Sequence, residues 1–158
     1  MKVNWRTLLV CVLIPLGVGT LAGLLSMGGM EQFAGLMKPP LSPPAWLFPV
    51  VWTILYTLMG ISSYLIYTSE EPKESNLKNQ ALSTYGYQLL VNFLWPVFFF
   101  NFQWYFFSFL WLVFLWILVL KMILEFGKIN PIAALLNVPY FLWLTFAAYL
   151  NLGVWLLN

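Results

Sequence analysis

Four stretches of this chain carry no Asp, Glu, Lys or Arg at all: residues 7–30, 39–69, 79–120 and 129–158. A helix crossing the hydrocarbon core of a bilayer needs roughly 20 predominantly apolar residues. Each stretch is therefore long enough for one crossing, and the third, with 42 residues, for two. With 62% of its 158 residues hydrophobic and 8% charged, the chain has more apolar surface than a water-soluble core of that size can enclose. It reads as an integral membrane protein of the all-α class.

The third stretch breaks near its middle at "FNFQW", Phe100 to Trp104, where Asn101 and Gln103 can turn the chain at an interface. The expected architecture is a single domain over residues 1–158, a bundle of five transmembrane helices at about 5–27, 44–68, 80–100, 103–126 and 131–156. A β-barrel would alternate apolar and polar residues over about ten positions, whereas these runs are apolar at consecutive positions. No internal repeat stands out. The one notable linker, "SEEPKESNLKN" (Ser69 to Asn79), reads as a solvated loop, and the only segment accessible to a protein partner.

Basic residues stay preferentially on the cytoplasmic side of a membrane. Lys2, Arg6, Lys73, Lys78, Lys121 and Lys128 fall on one side of this arrangement and Lys38 alone on the other. The N-terminus is thus expected inside and the C-terminus outside, in a multi-pass cell-membrane protein. A basic start before an apolar run also begins a secretory signal, but "GLLSMGG" is a poor substitute for a small-x-small cleavage site.

The chain has no histidine and a single cysteine, Cys11, so a His/Cys metal site, a histidine-containing triad and a His-ligated haem are excluded. No ionisable residue occupies the centre of a span, where ion-coupled transporters usually carry one. A net charge of +2, concentrated in loops, does not suggest nucleic-acid binding.

Polar amides, prolines and tryptophans then carry the information. In the third span Gln88, Asn92, Trp95 and Phe99 recur at helical spacing and share a face. The fifth span repeats the device with Pro139, Trp143, Ala147 and Asn151, and the second with Trp52, Tyr56, Met59 and Ser63. Three such stripes would suit a pocket for a flat apolar ligand, with indole faces to stack and a few polar groups to orient. The plainer alternative is that the amides bond neighbouring helices and that aromatic stripes arise by chance in a chain with nine Trp and fourteen Phe. In "GVGTLAG", Gly19 and Gly23 fit the small-xxx-small pattern of close helix approach, within the chain or in a homodimer. In "KPPLSPPAWLFPVVWTILY", Pro39, Pro40, Pro43 and Pro44 make a stiff approach to the second helix, aiming Trp46 at the interface and Trp52 inward. Pro49 lies within the first turns of that helix, where a local kink is tolerable if neighbours or water satisfy the freed carbonyl.

The segments "KPPLSPPAWLFPVVWTILYTLMGISSY", "QLLVNFLWPVFFF" and "VPYFLWLTFAAYLN" resemble, in order and spacing, those of the tryptophan-rich sensory protein and translocator protein (TspO/MBR) family, once called peripheral benzodiazepine receptors. The resemblance implies a five-helix bundle, often dimeric, with a pocket opening toward the first loop and binding porphyrins or synthetic flat ligands. It assigns ligand contacts to Trp52, Tyr56, Asn92, Trp95, Trp143 and Ala147, which the stripes also select. Gln88, Phe99 and Asn151 join them from the stripes. Many members carry a Trp-Tyr pair in the first loop; here Gln32 and Phe33 stand there, and Phe33 remains able to stack. Animal members end in a cholesterol-recognition pattern that requires Lys or Arg; no basic residue follows Lys128, so a sterol partner is not expected.

The expected function is a membrane receptor or carrier for porphyrin-type ligands, with no cofactor and no metal. A competing reading is an enzyme that breaks porphyrin down by oxidation or light, with Trp52 and Trp143 as radical sources. Another is a regulatory protein for which ligand is a cue.

Overall fold

A computed structural model of the chain describes residues 2–70 and 75–158, and every regular element among them is a helix. In chain order these are α1 (Trp5–Ala34), α2 (Leu47–Tyr67), α3 (Leu77–Pro96) continuing into a π-helical turn (Val97–Asn101), α4 (Tyr105–Ile129), the short α5 (Pro131–Leu136) and α6 (Val138–Leu157). Lys73, and Glu71 and Glu74 of the expected solvated loop, lie outside the described residues.

The helix ends follow from capping chemistry. The Asn4 side chain accepts a hydrogen bond from the Thr7 amide at 3.2 Å and starts α1. Asn130 accepts from the amides of Ile132 and Ala133, with Pro131 in the first turn of α5 where its missing N–H costs nothing. α1 continues past the expected end at residue 27 because nothing breaks it before Gly35, which makes it about 45 Å long at 1.5 Å per residue. The expected fifth span is divided at Asn137. Its side-chain amide donates to Ser62 Oγ at 2.7 Å and to the Ala133 carbonyl at 3.0 Å, while Ser62 Oγ donates to that same carbonyl. This knot fastens the α5/α6 junction to α2.

Four helical stretches are long and apolar enough to cross a membrane: α1, α2, α4 and Pro131–Leu157. The sequence suggested five crossings. α3 falls short on apolarity because its first two turns carry Lys78, Asn79, Gln80, Ser83 and Thr84. Large apolar side chains such as Leu9, Leu13, Leu24, Ile54, Leu110, Ile117 and Leu142 are at least half exposed, which in a multi-pass membrane protein is the surface offered to lipid.

Around the bundle α1 packs on α2 and on α3 with its π-helical turn, α3 packs on α2 and α4, and α4 packs on α5 and α6. Between α2 and α6 lies a groove of about 410 Å³. At one end of the bundle the loop from Gly35 to Trp46 crosses to α6. Tyr149 donates its hydroxyl proton to the Pro40 carbonyl at 2.7 Å, and the Asn158 side chain pairs with both the N–H and the C=O of Met37. Pro49 does not kink α2: it is the third residue of the helix, before any intrahelical donor is needed. Gln103 turns the chain with φ 57°, and Asn101 donates to the Leu25 carbonyl at 2.9 Å, as an interfacial turn requires.

Close approach of α1 and α2 depends on Gly60 rather than on Gly19 and Gly23 as a pair. Pro15 cannot donate to the Cys11 carbonyl four residues back. That freed carbonyl faces Gly60, where a Cβ would lie 2.7 Å from it and overlap the backbone of Val12. Gly19 makes room for the Tyr56 ring, whereas Gly23 has open space beside it. Overpacking at such a contact costs about 1–3 kcal/mol. Gly60→Leu is therefore expected to lower the thermal midpoint of the detergent-solubilised protein by several degrees, with Gly23→Ala unchanged; equal midpoints for Gly60→Leu and the parent would refute the contact.

Candidate ligand site between α2, α3 and α6

Burying a hydroxyl or amide inside a membrane bundle is costly unless it finds a partner, and the α2 and α3 stripes meet around one such set of partners, joined there by Tyr140 of α6. Tyr56 of α2 donates to Asn92 Oδ1 of α3 at 2.7 Å. Asn92 Nδ2 donates to the Tyr140 hydroxyl of α6 at 2.7 Å, and that hydroxyl donates to Gln88 Oε1 of α3 at 2.8 Å. Gln88 Nε2 closes on Met59 Sδ of α2 at 3.8 Å, a weak acceptor. All five side chains are buried. The chain of bonds runs one way, each residue donating to the next, and links α2, α3 and α6.

Aromatic surface is laid over this chain. Trp52 stacks on Tyr56 at 5.3 Å between centroids and meets the edge of Tyr140 at 6.1 Å. Farther along α3, Trp95 stacks on Phe99 at 4.9 Å and donates its indole N–H to Asn151 Oδ1 at 3.1 Å. Asn151 Nδ2 in turn donates to the Tyr105 carbonyl at 2.7 Å. Phe33 packs edge-on against Phe99 and Phe100, at 5.6 and 5.4 Å, with Lys38 Nζ 4.8 Å from its ring centre. It therefore belongs to the α3 end of the site and not to a cover over Trp52.

Trp143 stands apart. With Pro139, Leu142 and Phe146 of α6 and Val51, Ile54 and Leu55 of α2 it lines the groove between these helices. Its ring meets Phe48 at 5.9 Å, and its indole N–H is buried with no acceptor. Ala147 packs against the core beside it. The expected α6 stripe is thus split: Trp143 turns toward α2 and Asn151 toward α3 and α4.

Tyr140 was missed in the sequence, although it is the hub of the chain. Tyr140 and Asn151 are eleven residues apart, close to three turns of 3.6, so they share a face. Trp143 and Asn151, eight apart, differ by nearly a quarter turn. Counting back from Asn151 in steps of 3.6 finds Tyr140 and Leu144, both fully buried. Among the described residues no cluster of Cys, Asp or Glu could hold a metal ion. The groups gathered here can stack and donate or accept hydrogen bonds.

A family model for the TspO/MBR family matches residues 11–156. The chain belongs to that family. It is 34% identical over 153 residues to the Tryptophan-rich protein TspO of Chlorobaculum tepidum, covering 96% of each chain. It is 33% identical over 156 residues to the Tryptophan-rich protein TspO of Archaeoglobus fulgidus, covering 98% of this chain and 99% of the relative. The Translocator protein of Sus scrofa is 34% identical over 152 residues, covering 96% and 89%. Within this TspO/MBR member the amides singled out in α3 serve helix association in the structure, as the plainer sequence reading had it, while the indoles surround them.

Removing the hub should leave two groups without partners. Tyr140→Phe strands Asn92 Nδ2 and Gln88 Oε1, and a buried unsatisfied group costs about 1–3 kcal/mol, less where a membrane-embedded chain finds other partners. The variant is expected to unfold earlier in a denaturing-detergent titration, by about 1–2 kcal/mol on those grounds. Tyr149→Phe, whose hydroxyl serves only the loop, should change less. A Tyr140→Phe protein as stable as the parent would show the chain to be energetically idle.

Proposed function

We propose that this TspO/MBR protein crosses the membrane five times, with its N-terminus in the cytoplasm, and acts as a receptor or carrier for porphyrin-type, flat hydrophobic ligands. α3, lined by amides on its inner face, would be the fifth crossing, shielded by α1, α2 and α4. The observation that carries the ligand reading is aromatic surface beside an organised polar chain: Trp52 of α2 covers Tyr56 and Tyr140 of the Tyr56–Asn92–Tyr140 chain, and Trp143 of α6 lines the groove between α2 and α6. Large faces for stacking together with a few oriented donors are what a flat ring with a polar edge needs.

The groove itself, about 410 Å³, lies toward the small end of ligand pockets, which run from about 300 to 1,000 Å³. A tetrapyrrole would occupy it only with α2 and α6 parting or with one edge left in the lipid. Its propionates would then point to the loop end of the bundle, where Lys38 is the only basic residue among those described. Trp143 Nε1, buried without an acceptor, would donate to a ligand atom entering from the bilayer. Relatives named for sensing and translocation support the reading, since both activities require recognition of a ligand.

Protoporphyrin added to the protein in nanodiscs should quench tryptophan fluorescence saturably. Each aromatic contact is worth about 0.5–1.5 kcal/mol, so Trp52→Phe with Trp143→Phe, retaining rings but losing indole area and the N–H, should weaken binding by roughly tenfold. Undiminished affinity in the double variant would reject this site.

A further inference from the structure

A second groove, of about 420 Å³, lies on the outer surface at the opposite end of the bundle, between the first turns of α3 and the last turns of α4. Its lining is polar and charged: Asn79, Gln80, Ser83 and Tyr87 from α3, Lys121 and Glu125 from α4. Gln80, Ser83 and Tyr87 recur at helical spacing and are exposed, so α3 turns a polar stripe outward just where its apolarity fails. Lys121 Nζ lies 3.6 Å from Glu125 Oε1. Glu125 is held from behind by the Thr84 hydroxyl, at 3.1 and 3.2 Å from its two oxygens. The Lys121 side chain is 65% exposed and that of Glu125 only 17%. The groove therefore presents an exposed cation at its rim and a partly sheltered carboxylate held by Thr84.

On the five-crossing arrangement proposed above, on which this inference rests, the groove opens at the headgroup layer. α3 with its π-helical turn has 25 residues, Leu77 to Asn101, and α4 has 25, so each is about 37 Å long against roughly 30 Å of hydrocarbon. The surplus of about 7 Å is about five residues, so residues 77–81 of α3 and 125–129 of α4 emerge where phosphates and amines of lipid lie, and the long Lys121 stem lets its ammonium reach up to them. A cation and an anion side by side match a headgroup carrying the same two charges in reverse order. A purely anionic headgroup would bring its phosphate against Glu125 with no positive charge of its own to offset the repulsion.

We propose that this groove is a binding site for a zwitterionic phospholipid whose headgroup ends in a primary ammonium, the phosphoethanolamine class. The phosphate accepts from Lys121 Nζ and from hydroxyls or amides of Ser83, Tyr87 and Gln80. The ammonium, with three N–H donors, bonds Glu125, which the Thr84 hydroxyl keeps in place. A trimethylated headgroup offers no N–H for that second contact. The site is separate from the α2/α6 groove, so it does not depend on porphyrin binding.

The test is native mass spectrometry and thermal unfolding of the full-length protein in detergent, with phosphatidylethanolamine, phosphatidylcholine or phosphatidylglycerol of identical acyl chains added. The expected result is retention of phosphatidylethanolamine at least severalfold above the other two, with a matching rise in thermal midpoint. That preference should be lost in Glu125→Gln and in Lys121→Met, and reduced in Ser83→Ala. Soluble phosphoethanolamine should compete only at far higher concentration; competition at equal concentration would assign the site to a free headgroup compound instead. Equal retention of the three lipids, a preference for phosphatidylglycerol, or an ethanolamine preference that survives Glu125→Gln would overturn the proposal. So would a dimer that dissociates in the Glu125→Gln variant, since the groove would then be covered by a second copy.

Discussion

The structure depends on one set of hydrogen bonds, the one-way chain from Tyr56 through Asn92 and Tyr140 to Gln88 and Met59. Lipid supplies no competing water at that depth, so amides and hydroxyls that face inward must find one another or cost several kcal/mol each. This requirement sets the rotation of α3 and α6 about their axes, because only one register brings Asn92 and Gln88 opposite Tyr140. Helices with nearly uniform apolar surfaces have little else to specify rotation, since lipid tails are as apolar as leucine. Once those rotations are set, Trp52 lies over Tyr56, Trp95 reaches Asn151, and Trp143 is turned out to the groove with α2.

The ends of the bundle are held by different means. At the loop end, Pro39 is buried and a Cβ on Gly153 of α6 would overlap its ring, while Tyr149 and Asn158 tie down the neighbouring backbone. At the other end, Ser62 and Asn137 make the knot between α2 and the α5/α6 junction, and the Tyr64 hydroxyl accepts from the Asn4 amide at 3.0 Å. Between these fastenings α2 and α6 are joined by the buried polar chain and ring contacts, with the groove outside them.

Much of this was legible in the sequence. Charge-free intervals located the helices because a single charge at bilayer depth is so costly that its absence over 20 or more residues has one ready explanation. Spacing of four and three picked out Gln88, Asn92, Trp95 and Phe99, which do share the inner face of α3. The proline run before α2 was read correctly as an approach to the helix, though Pro49 proved to lie too early to kink it. Less legible was α6, where steps of four drift away from the 3.6-residue turn over three turns, so that Pro139 and Trp143 gave way to Tyr140 as the inner face. The role of Phe33 also depended on the extra turns of α1, which no local residue announced. The polar outer stripe of α3 hid behind its own helical period, since an amphipathic helix in a membrane can turn either face inward until the partners are known.

Nuclear magnetic resonance of the protein labelled with 5-fluorotryptophan tests the central claim most directly, because each of the nine tryptophans gives its own fluorine signal. If aromatic walls over the polar chain form the ligand site, adding protoporphyrin should shift the Trp52 and Trp143 signals strongly and saturably, while Trp5 and Trp116, remote from the opening, barely move. Shifts confined to the outlying tryptophans, or spread evenly over all nine, would contradict it.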